Sequence, residues 1–252
     1  MALLSLTDVS LTFQRGRRHA VRVLAGVSLN VHAGEVVSVL AQRAQGKTSL
    51  LRVAAGLQRP NVGWVRVAGR DVWGLSTAGR ARLLGSEIGW VGHAAPDLDV
   101  PVRTSVALPL LGTCGKREAY ARASAALERV GVLDCAEQFW GSLADWERAL
   151  VALAHGIARE PCLLLVDDLT LSLDLGEVDD ATRLLDELAR ERDLGVLMCV
   201  SDANATRWSQ RTVTLAGGEL LAPARPGPVP APAAPPANVI DFPSQSARRA
   251  SS

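Results

Sequence analysis

One stretch of this sequence limits the possible folds more than any other. The β-branched run EVVSVL (Glu35–Leu40) leads into the small-residue loop AQRAQG, and that loop leads into the helical stretch KTSLLRVAAGL. A strand, a glycine-containing loop and a helix in this order match the pattern G-x-x-x-x-G-K-[ST], in which backbone amides and a helix N-terminus surround phosphate groups. Lys47 and Lys116 are the only lysines among 252 residues, so chance poorly explains one of them directly after Gly46. The sequence therefore predicts a phosphate-binding loop rather than an ordinary surface lysine.

Two alanines stand at loop positions where glycine is expected, Ala41 at the start of the pattern and Ala44 three residues later. An alanine at positive φ costs roughly 1–2 kcal/mol, and its methyl group crowds an approaching phosphate. We therefore expect nucleotide binding that is weakened but retained, with Lys47 on the β- and γ-phosphates and the Thr48 hydroxyl on Mg²⁺. The residues expected to contact the nucleotide in and after the loop are Ala41, Gln42, Arg43, Ala44, Gln45, Gly46, Lys47, Thr48 and Ser49.

Short strands alternate with helices over residues 1–221, which predicts an α/β fold with crossover helices. Further strands are expected at Glu87–Val91, Cys162–Val166 and Gly195–Val200, and TVTLAGGELL is expected to form a hairpin. Residues 94–158 differ because their apolar side chains recur at helical spacing, as in DWERALVALAHGIARE. The pattern indicates one domain over 1–221 with a helical subdomain at about 94–158.

The composition changes after Leu221. Residues 222–252 contain eight of the 13 prolines and few large apolar side chains, so they cannot bury enough surface to offset the entropy of ordering. We interpret this segment as a disordered tail. Two alternatives stay open: a docking motif at Pro223-x-x-Pro226 and a small anchor at NVIDF.

Bulk properties exclude several classes of partner. The net charge of +1 gives no general attraction to nucleic acid or to an anionic membrane. The four cysteines show no C-x-x-C pairing, which favours a reducing compartment. The N-terminus has no signal-peptide pattern, and no apolar run approaches the ~18 residues of a spanning helix. We therefore expect a cytoplasmic chain that does not cross a membrane by itself.

Several ordered segments together resemble ABC-transporter ATPases, especially the lipoprotein-releasing and macrolide-exporter type. VLAGVSLNVHAGEVVSVL is similar to the lead-in to the phosphate loop, and EIGWVGHAAPDLDVPVRTSVALPLL to the strand, Q-loop and following helix. LERVGVLDCAEQFWGSLADWERALVALAHGIAREPCLLLVDDLTLSLD is similar to the signature helix, Walker B strand and D-loop. The resemblance covers residues 2–221. It implies a P-loop NTPase with a RecA-like core sheet, an N-terminal antiparallel β part and a helical subdomain, and ATP with Mg²⁺ as ligands.

The resemblance also assigns roles to residues outside the loop. Phe13 matches the aromatic residue that stacks on adenine, although a core phenylalanine is an equal alternative. Asp167 matches the Walker B carboxylate, and a carboxylate that follows an apolar strand needs a partner such as a metal ion. His93 replaces the Q-loop glutamine, and its imidazole can still reach a metal-bound water. Asp174 matches the D-loop aspartate, which in the family links the two nucleotide sites across a dimer, although by itself it would be an ordinary helix N-cap.

Asp168 stands where the family has the catalytic glutamate that orients the attacking water. Asp168 keeps the negative charge, but its side chain is shorter than that of glutamate by one methylene group. Because a displacement of roughly 1 Å can cost ~10²-fold in rate, we expect Asp168 to position water poorly.

The signature loop and the switch position differ from the family pattern more than Asp168 does. The family pattern L-S-G-G-Q is LADWE here, so Ala144 removes a phosphate-binding hydroxyl and Trp146 adds bulk. We expect Asp145 to cap the following helix and to repel phosphate. No histidine follows the strand Gly195–Val200, where Ser201 or Asp202 takes the switch position, depending on the alignment. These changes together predict slow hydrolysis.

The leading hypothesis is therefore an ATP-binding subunit that lies on the inner face of the cell membrane and pairs with a separate transmembrane permease. Two such domains bind ATP between them, and a damaged signature favours a heterodimer with an intact ATPase over a homodimer. The alternative is a non-catalytic, nucleotide-sensing or scaffold protein. A DNA-repair or translation-factor ATPase is disfavoured, because the chain is near neutral and carries one such domain.

Overall fold

The chain forms two β-sheets because it contains two kinds of strand. A computed structural model describes residues 2–15, 19–92 and 99–221, so the predictions for His93 and for the 222–252 tail lie outside the described residues. Within those residues the strands are β1 (Ala2–Arg15), β2 (His19–His32), β3 (Val36–Leu40), β4 (Val62–Val67), β5 (Arg70–Asp71), β6 (Ile88–Val91), β7 (Leu163–Asp167), β8 (Gly195–Val200), β9 (Arg211–Ala216) and β10 (Glu219–Leu221). The α-helices there are α1 (Lys47–Ala54), α2 (Thr77–Glu87), α3 (Val102–Ala107), α4 (Lys116–Arg129), α5 (Asp145–Ile157) and α6 (Leu175–Glu191).

The first sheet is antiparallel, with strand order β2-β1-β4-β5. The second sheet has the order β10-β9-β3-β8-β7-β6. Its strands from β9 to β6 pair in parallel, and only β10 is antiparallel, through the hairpin with β9. An antiparallel β part beside a parallel core sheet is the architecture that the family resemblance implies.

The central strands are buried on both faces, which explains their continuous apolar runs. Along β7, Leu164 and Val166 join one core cluster, whereas Leu163 and Leu165 join the other. The same alternation continues in β8. One cluster lies between the sheet and helices α3 to α6, and the other between the sheet, α1 and the antiparallel sheet. Both clusters fix the carboxyl ends of these strands in place.

Helices α3, α4 and α5 lie between β6 and β7 in the chain, within the region predicted to be helical. Helix α5 approaches the sheet closely where two glycines face each other. A Cβ at Gly89 would lie 2.2 Å from the carbonyl oxygen of Gly156, and a Cβ at Gly156 would lie 2.5 Å from the Val91 side chain. This contact holds the C-terminal end of α5 in a defined position relative to β6.

The predicted strands agree with the structure to within one residue. Strand β7 begins at Leu163 instead of Cys162 and extends to Asp167, because Asp167 still pairs with Cys199 of β8. The hairpin through Gly217 is also present. Among the described residues, no helix has the length and apolar character needed to span a membrane.

Candidate functional site

The polar side chains of the candidate site meet at the carboxyl ends of β3, β8 and β7, which are neighbours in the sheet. Strand β3 leads into the loop that carries Lys47, β7 ends at Asp167 and Asp168, and Ser201 follows β8. The loop is tied to β8 by a hydrogen bond of 3.0 Å from the Ala41 amide to the Val200 carbonyl. Ligand sites in parallel α/β sheets form at such carboxyl ends.

Gly46 needs to be glycine for two independent reasons. Its φ is 100°, and a Cβ there would lie 2.9 Å from the carbonyl oxygen of Val23 on β2. Ala44 lies in the left-handed region at φ 62°, so the predicted strain of an alanine in the loop is present at this position. Ala41 is not among the described residues with positive φ, and its side chain is buried. The expected strain therefore applies to only one of the two alanines.

Lys47 is the most enclosed charge of the site. Its side chain is only 7% exposed, and its Nζ lies 2.7 Å from Oδ2 of Asp168. The amine also donates to the hydroxyl of Ser201, and that hydroxyl donates to Oδ1 of Asp168 over 3.1 Å. Lys47, Asp168 and Ser201 thus form a closed triangle of contacts, which we call the lysine triangle.

The second pair in the site is Thr48 with Asp167. The Thr48 hydroxyl donates to Oδ2 of Asp167 over 2.8 Å, whereas the buried Oδ1 has no hydrogen-bond partner. Burial raises the pKa of the Asp167 carboxyl above its ordinary value, and the Thr48 hydrogen bond partly opposes this. A buried carboxylate oxygen without a partner beside a threonine hydroxyl suits a hard cation such as Mg²⁺. Within the described ranges no cluster of three His, Cys, Asp or Glu side chains could hold a metal alone, so further oxygen ligands would come from phosphate and water.

The conformation of Asp168 directs its carboxylate toward Lys47. Its φ is 47°, and its amide donates to the Cys199 carbonyl over 3.0 Å. Aspartate tolerates this left-handed backbone better than most residues other than glycine. Nothing in the sequence signalled this turn.

The two candidates for the switch position lie in different surroundings. Ser201 faces the site, whereas Asp202 caps the 3-10 turn Ala203–Thr206 and accepts from the Asn204 amide over 2.9 Å. Ser201 is therefore the residue beside Lys47, and the charge of Asp202 is used locally.

The remaining loop residues take different positions. The Gln45 side chain accepts a hydrogen bond of 3.0 Å from the Gly217 amide, which joins the loop to the β9–β10 hairpin. Gln42 and Arg43 are exposed, and Ser49 is half-buried in the first turn of α1. The positions of Gln42 and Arg43 leave their side chains accessible to a ligand on the loop.

Phe13 is not a core residue, which was the alternative to its nucleotide role. It lies on β1, is 39% exposed and pairs with Val21 on β2. Val21 is two residues from Val23, which lies against Gly46 of the loop. The strand register therefore brings the exposed ring to the side of the molecule that carries the loop, and stacking on adenine stays a prediction.

The signature segment differs from the prediction in its capping. Helix α5 begins at Asp145, whose carboxylate pairs with Arg148 over 3.0 Å instead of capping the helix. The N-cap is Ala144, which has no side-chain acceptor, and its amide donates to the Glu147 carboxylate over 2.8 Å. Trp146 is half-buried against the core, so its bulk is turned partly inward. The prediction that Asp145 caps the helix is therefore wrong, but two carboxylates do lie in the first turn.

Asp174 is the N-cap of α6. Its carboxylate accepts from the Glu177 amide over 2.8 Å, and the Glu177 carboxylate accepts from the Asp174 amide over 3.0 Å. This capping box accounts for Asp174 without a nucleotide. A link between two nucleotide sites through Asp174 stays a prediction.

Comparison with known proteins agrees with this geometry. The "Lipoprotein-releasing system ATP-binding protein LolD" of Pseudomonas fluorescens is 32% identical over 88% of this chain and 98% of its own length. The "Methionine import ATP-binding protein MetN" of Rhizobium etli is 32% identical over 80% of this chain and 56% of its own length. The solved "Dimeric Structure of MJ0796, a Bacterial ABC Transporter Cassette" is 25% identical, with a TM-score of 0.78 over 86% of this chain and 96% of that chain.

A parallel sheet with a glycine–lysine–threonine loop at the carboxyl end of one strand, and paired aspartates at the end of another, defines a P-loop NTPase fold. The family model described as "ABC transporter" matches residues 24–171, which contain the loop, α5 and the aspartate pair. The chain therefore belongs to the ABC transporter family.

Proposed function

We propose that this chain is the ATP-binding subunit of an ABC transporter and that it binds MgATP at the loop after β3. The observation that carries the proposal is the pairing of Thr48 with Asp167, whose second carboxylate oxygen is buried without a partner beside the enclosed Lys47. In this proposal Lys47 binds the β- and γ-phosphates, while Phe13 stacks on the adenine. Relatives with this architecture are named ATP-binding proteins, and one solved MJ0796 structure is titled as bound to ADP and Pi.

Thr48 and Asp167 are the residues that would hold Mg²⁺. The cation would neutralise charge that develops on the phosphate oxygens. The chain itself contributes the positive charge of Lys47, the amides of the loop and the N-terminus of α1. Asp168 would orient water only after it leaves Lys47.

The proposed hydrolysis is weak because Asp168 is both short and engaged with Lys47. Phosphate release from MgATP by the purified chain, measured over a range of protein concentrations, tests this against Lys47→Ala. Turnover above that control that rises steeply with concentration would support a dimeric ATPase. Equal rates for both proteins would exclude hydrolysis by the chain alone and would favour the alternative, a nucleotide-sensing or scaffold role. Asp168→Glu distinguishes a weak ATPase from a nucleotide-sensing or scaffold protein, because only a hydrolase with an impaired site should become faster.

A groove between α2, α4 and the end of α5 is the proposed contact for the membrane partner. Its volume is about 650 Å³, and its lining includes Arg82, Arg122 and Arg159. Arg122 pairs with Glu118 and Glu160 at 4.0 and 3.6 Å, but among the described residues no acidic side chain lines the groove itself. The arrangement favours a partner segment that carries apolar and acidic side chains.

The proposed assembly is a heterodimer with a second ABC ATPase whose signature is intact. The first turn of α5 carries Asp145 and Glu147, and two carboxylates there would repel a phosphate bound by the opposite subunit. MgATP should therefore dimerise a mixture with such a partner but not this chain alone. Equal ATP-driven dimerisation of the pure chain, measured by light scattering, would contradict this arrangement.

A further inference from the structure

The lysine triangle engages two of the three N–H donors of Lys47, the residue proposed to bind phosphate. The buried amine contacts Asp168 and Ser201, and both Asp168 oxygens are engaged, one by the amine and one by the serine hydroxyl. The Lys47 side chain is only 7% exposed, so little of it is open to an approaching anion. A phosphate must therefore break a charge-assisted contact before it can bind.

We propose that Asp168, positioned by Ser201, is an internal competitor of nucleotide phosphate: it binds Lys47 in the free protein and sets the affinity for nucleotide. This inference rests on the proposed function as a nucleotide-binding subunit. The short side chain of Asp168 and its left-handed backbone place the carboxylate on Lys47, and the small Ser201 closes the contact from the β8 side. The neighbouring carboxylate of Asp167 bonds Thr48 instead and does not take part.

Binding of ADP in the presence of EDTA tests the competition without metal chemistry or hydrolysis. Asp168→Asn should lower the Kd for ADP by about tenfold, because it removes the charge that holds Lys47. Ser201→Ala should lower it by about threefold, because it removes the hydroxyl that positions Asp168 but leaves the Asp168 charge beside Lys47. Asp202→Asn is the matched control: it removes the same charge one residue past Ser201, from a carboxylate that faces Asn204, and should leave the Kd unchanged.

A second measurement reports the contact itself and uses the presence of only two lysines in the chain. Limited acetylation of the free protein, read by mass spectrometry, gives the reactivity of Lys47 relative to the exposed Lys116. The ratio should be low in the unmodified chain and rise about fivefold in Asp168→Asn, because the amine loses its partner. It should not change in Asp202→Asn. An electrostatic effect on ADP alone would leave this ratio unaltered.

The two measurements separate the inference from the function on which it rests. If the unmodified chain binds ADP and Asp168→Asn changes neither the Kd nor the acetylation ratio, the competition is wrong while nucleotide binding stands. If the ratio rises but no variant binds ADP, phosphate is not the competitor, and both the inference and the proposed function fail. A lower Kd with a higher ratio in Asp168→Asn, and neither in Asp202→Asn, establishes the competition.

Discussion

The two alanines of the phosphate loop look alike in sequence but differ in backbone strain. Ala44 lies at φ 62°, which an L-residue adopts at a cost of roughly 1–2 kcal/mol, whereas Ala41 is buried without that strain. Ala44→Gly relieves the strain and adds roughly 0.5–1 kcal/mol of unfolded-state entropy. We expect Ala44→Gly to raise the free energy of unfolding by about 0.5 kcal/mol. Ala41→Gly should lower it by about 1.5 kcal/mol, because it removes a buried methyl group and adds the same unfolded-state entropy without relieving strain. Urea denaturation of both variants checks this, and equal changes would contradict it.

Asp167 carries a second prediction at the scale of the single residue. Its half-buried carboxylate has a raised pKa and a buried oxygen without a partner, so the charged form gains most from a cation. Asp167→Asn keeps an acceptor for Thr48 but removes the charge. The rise in Tm that ATP gives should increase further with Mg²⁺ in the unmodified chain and should be independent of Mg²⁺ in Asp167→Asn. A variant that retains the Mg²⁺ effect would show that the cation lies elsewhere.

At the scale of elements, the sequence predicts well what depends on burial and poorly what depends on backbone turns. The strands β3, β6, β7 and β8 lie within one residue of their predicted bounds, because strands buried on both faces must be apolar throughout. The helix start at α5 was located correctly, but its capping was not. Asp145 has Arg148 three residues later on the same helix face, and that ion pair competes with capping. The left-handed turn at Asp168 and the choice of Ser201 over Asp202 depend on contacts between separate strands, which spacing in one sequence does not encode.

The contact between α3 and α5 gives a prediction on pH. His155 on α5 bonds the hydroxyl of Ser105 on α3 over 3.0 Å, and burial lowers the pKa of this histidine from 6.5 to about 4. Because the unfolded chain binds a proton more readily, the stability from neutral His155 is complete above pH 6.5 and is lost as the pH falls toward 4. The loss by pH 4 amounts to about 3 kcal/mol.

The matched variant for this prediction is His155→Gln, which can still bond Ser105 but does not titrate. The difference in unfolding free energy between the unmodified chain and His155→Gln should shift by about 3 kcal/mol, against the unmodified chain, between pH 7 and pH 4. Other groups, including Asp167, titrate in both proteins and cancel in the difference. Urea denaturation at several pH values provides the measurement. A constant difference would mean that His155 is not buried in its neutral form.

At the scale of the whole molecule, the nucleotide site and the groove lined by Arg82, Arg122 and Arg159 lie on elements that pack against the same parallel sheet. The phosphate loop follows β3 and leads into α1, which packs on one face of the sheet. Helices α4 and α5 pack on the opposite face through the cluster that includes Val166 and Leu153. Helix α2 leads directly into β6, which pairs with β7 and its terminal aspartates. Asp168 follows the end of β7, and β7 pairs with β6. Because β6 continues directly from α2, which lines the groove, a movement of Asp168 away from Lys47 occurs beside a strand that is joined to the groove.

The charge of the groove gives the prediction at this scale. Arg82 is exposed on α2, so Arg82→Glu should weaken the preference of the groove for acidic segments without a cost in stability. Two labelled amphipathic peptides of equal length, one with glutamates and one with lysines beside the same leucine face, serve as probes. The unmodified chain should bind the acidic peptide about fivefold more tightly, and Arg82→Glu should lose most of this preference because only Arg122 and Arg159 remain. Arg66→Glu makes the same charge change at an exposed position on β4 and should keep the acidic preference.

Fluorescence anisotropy distinguishes these outcomes. An equal shift in both variants would mean that overall charge, and not the groove, selects the peptide.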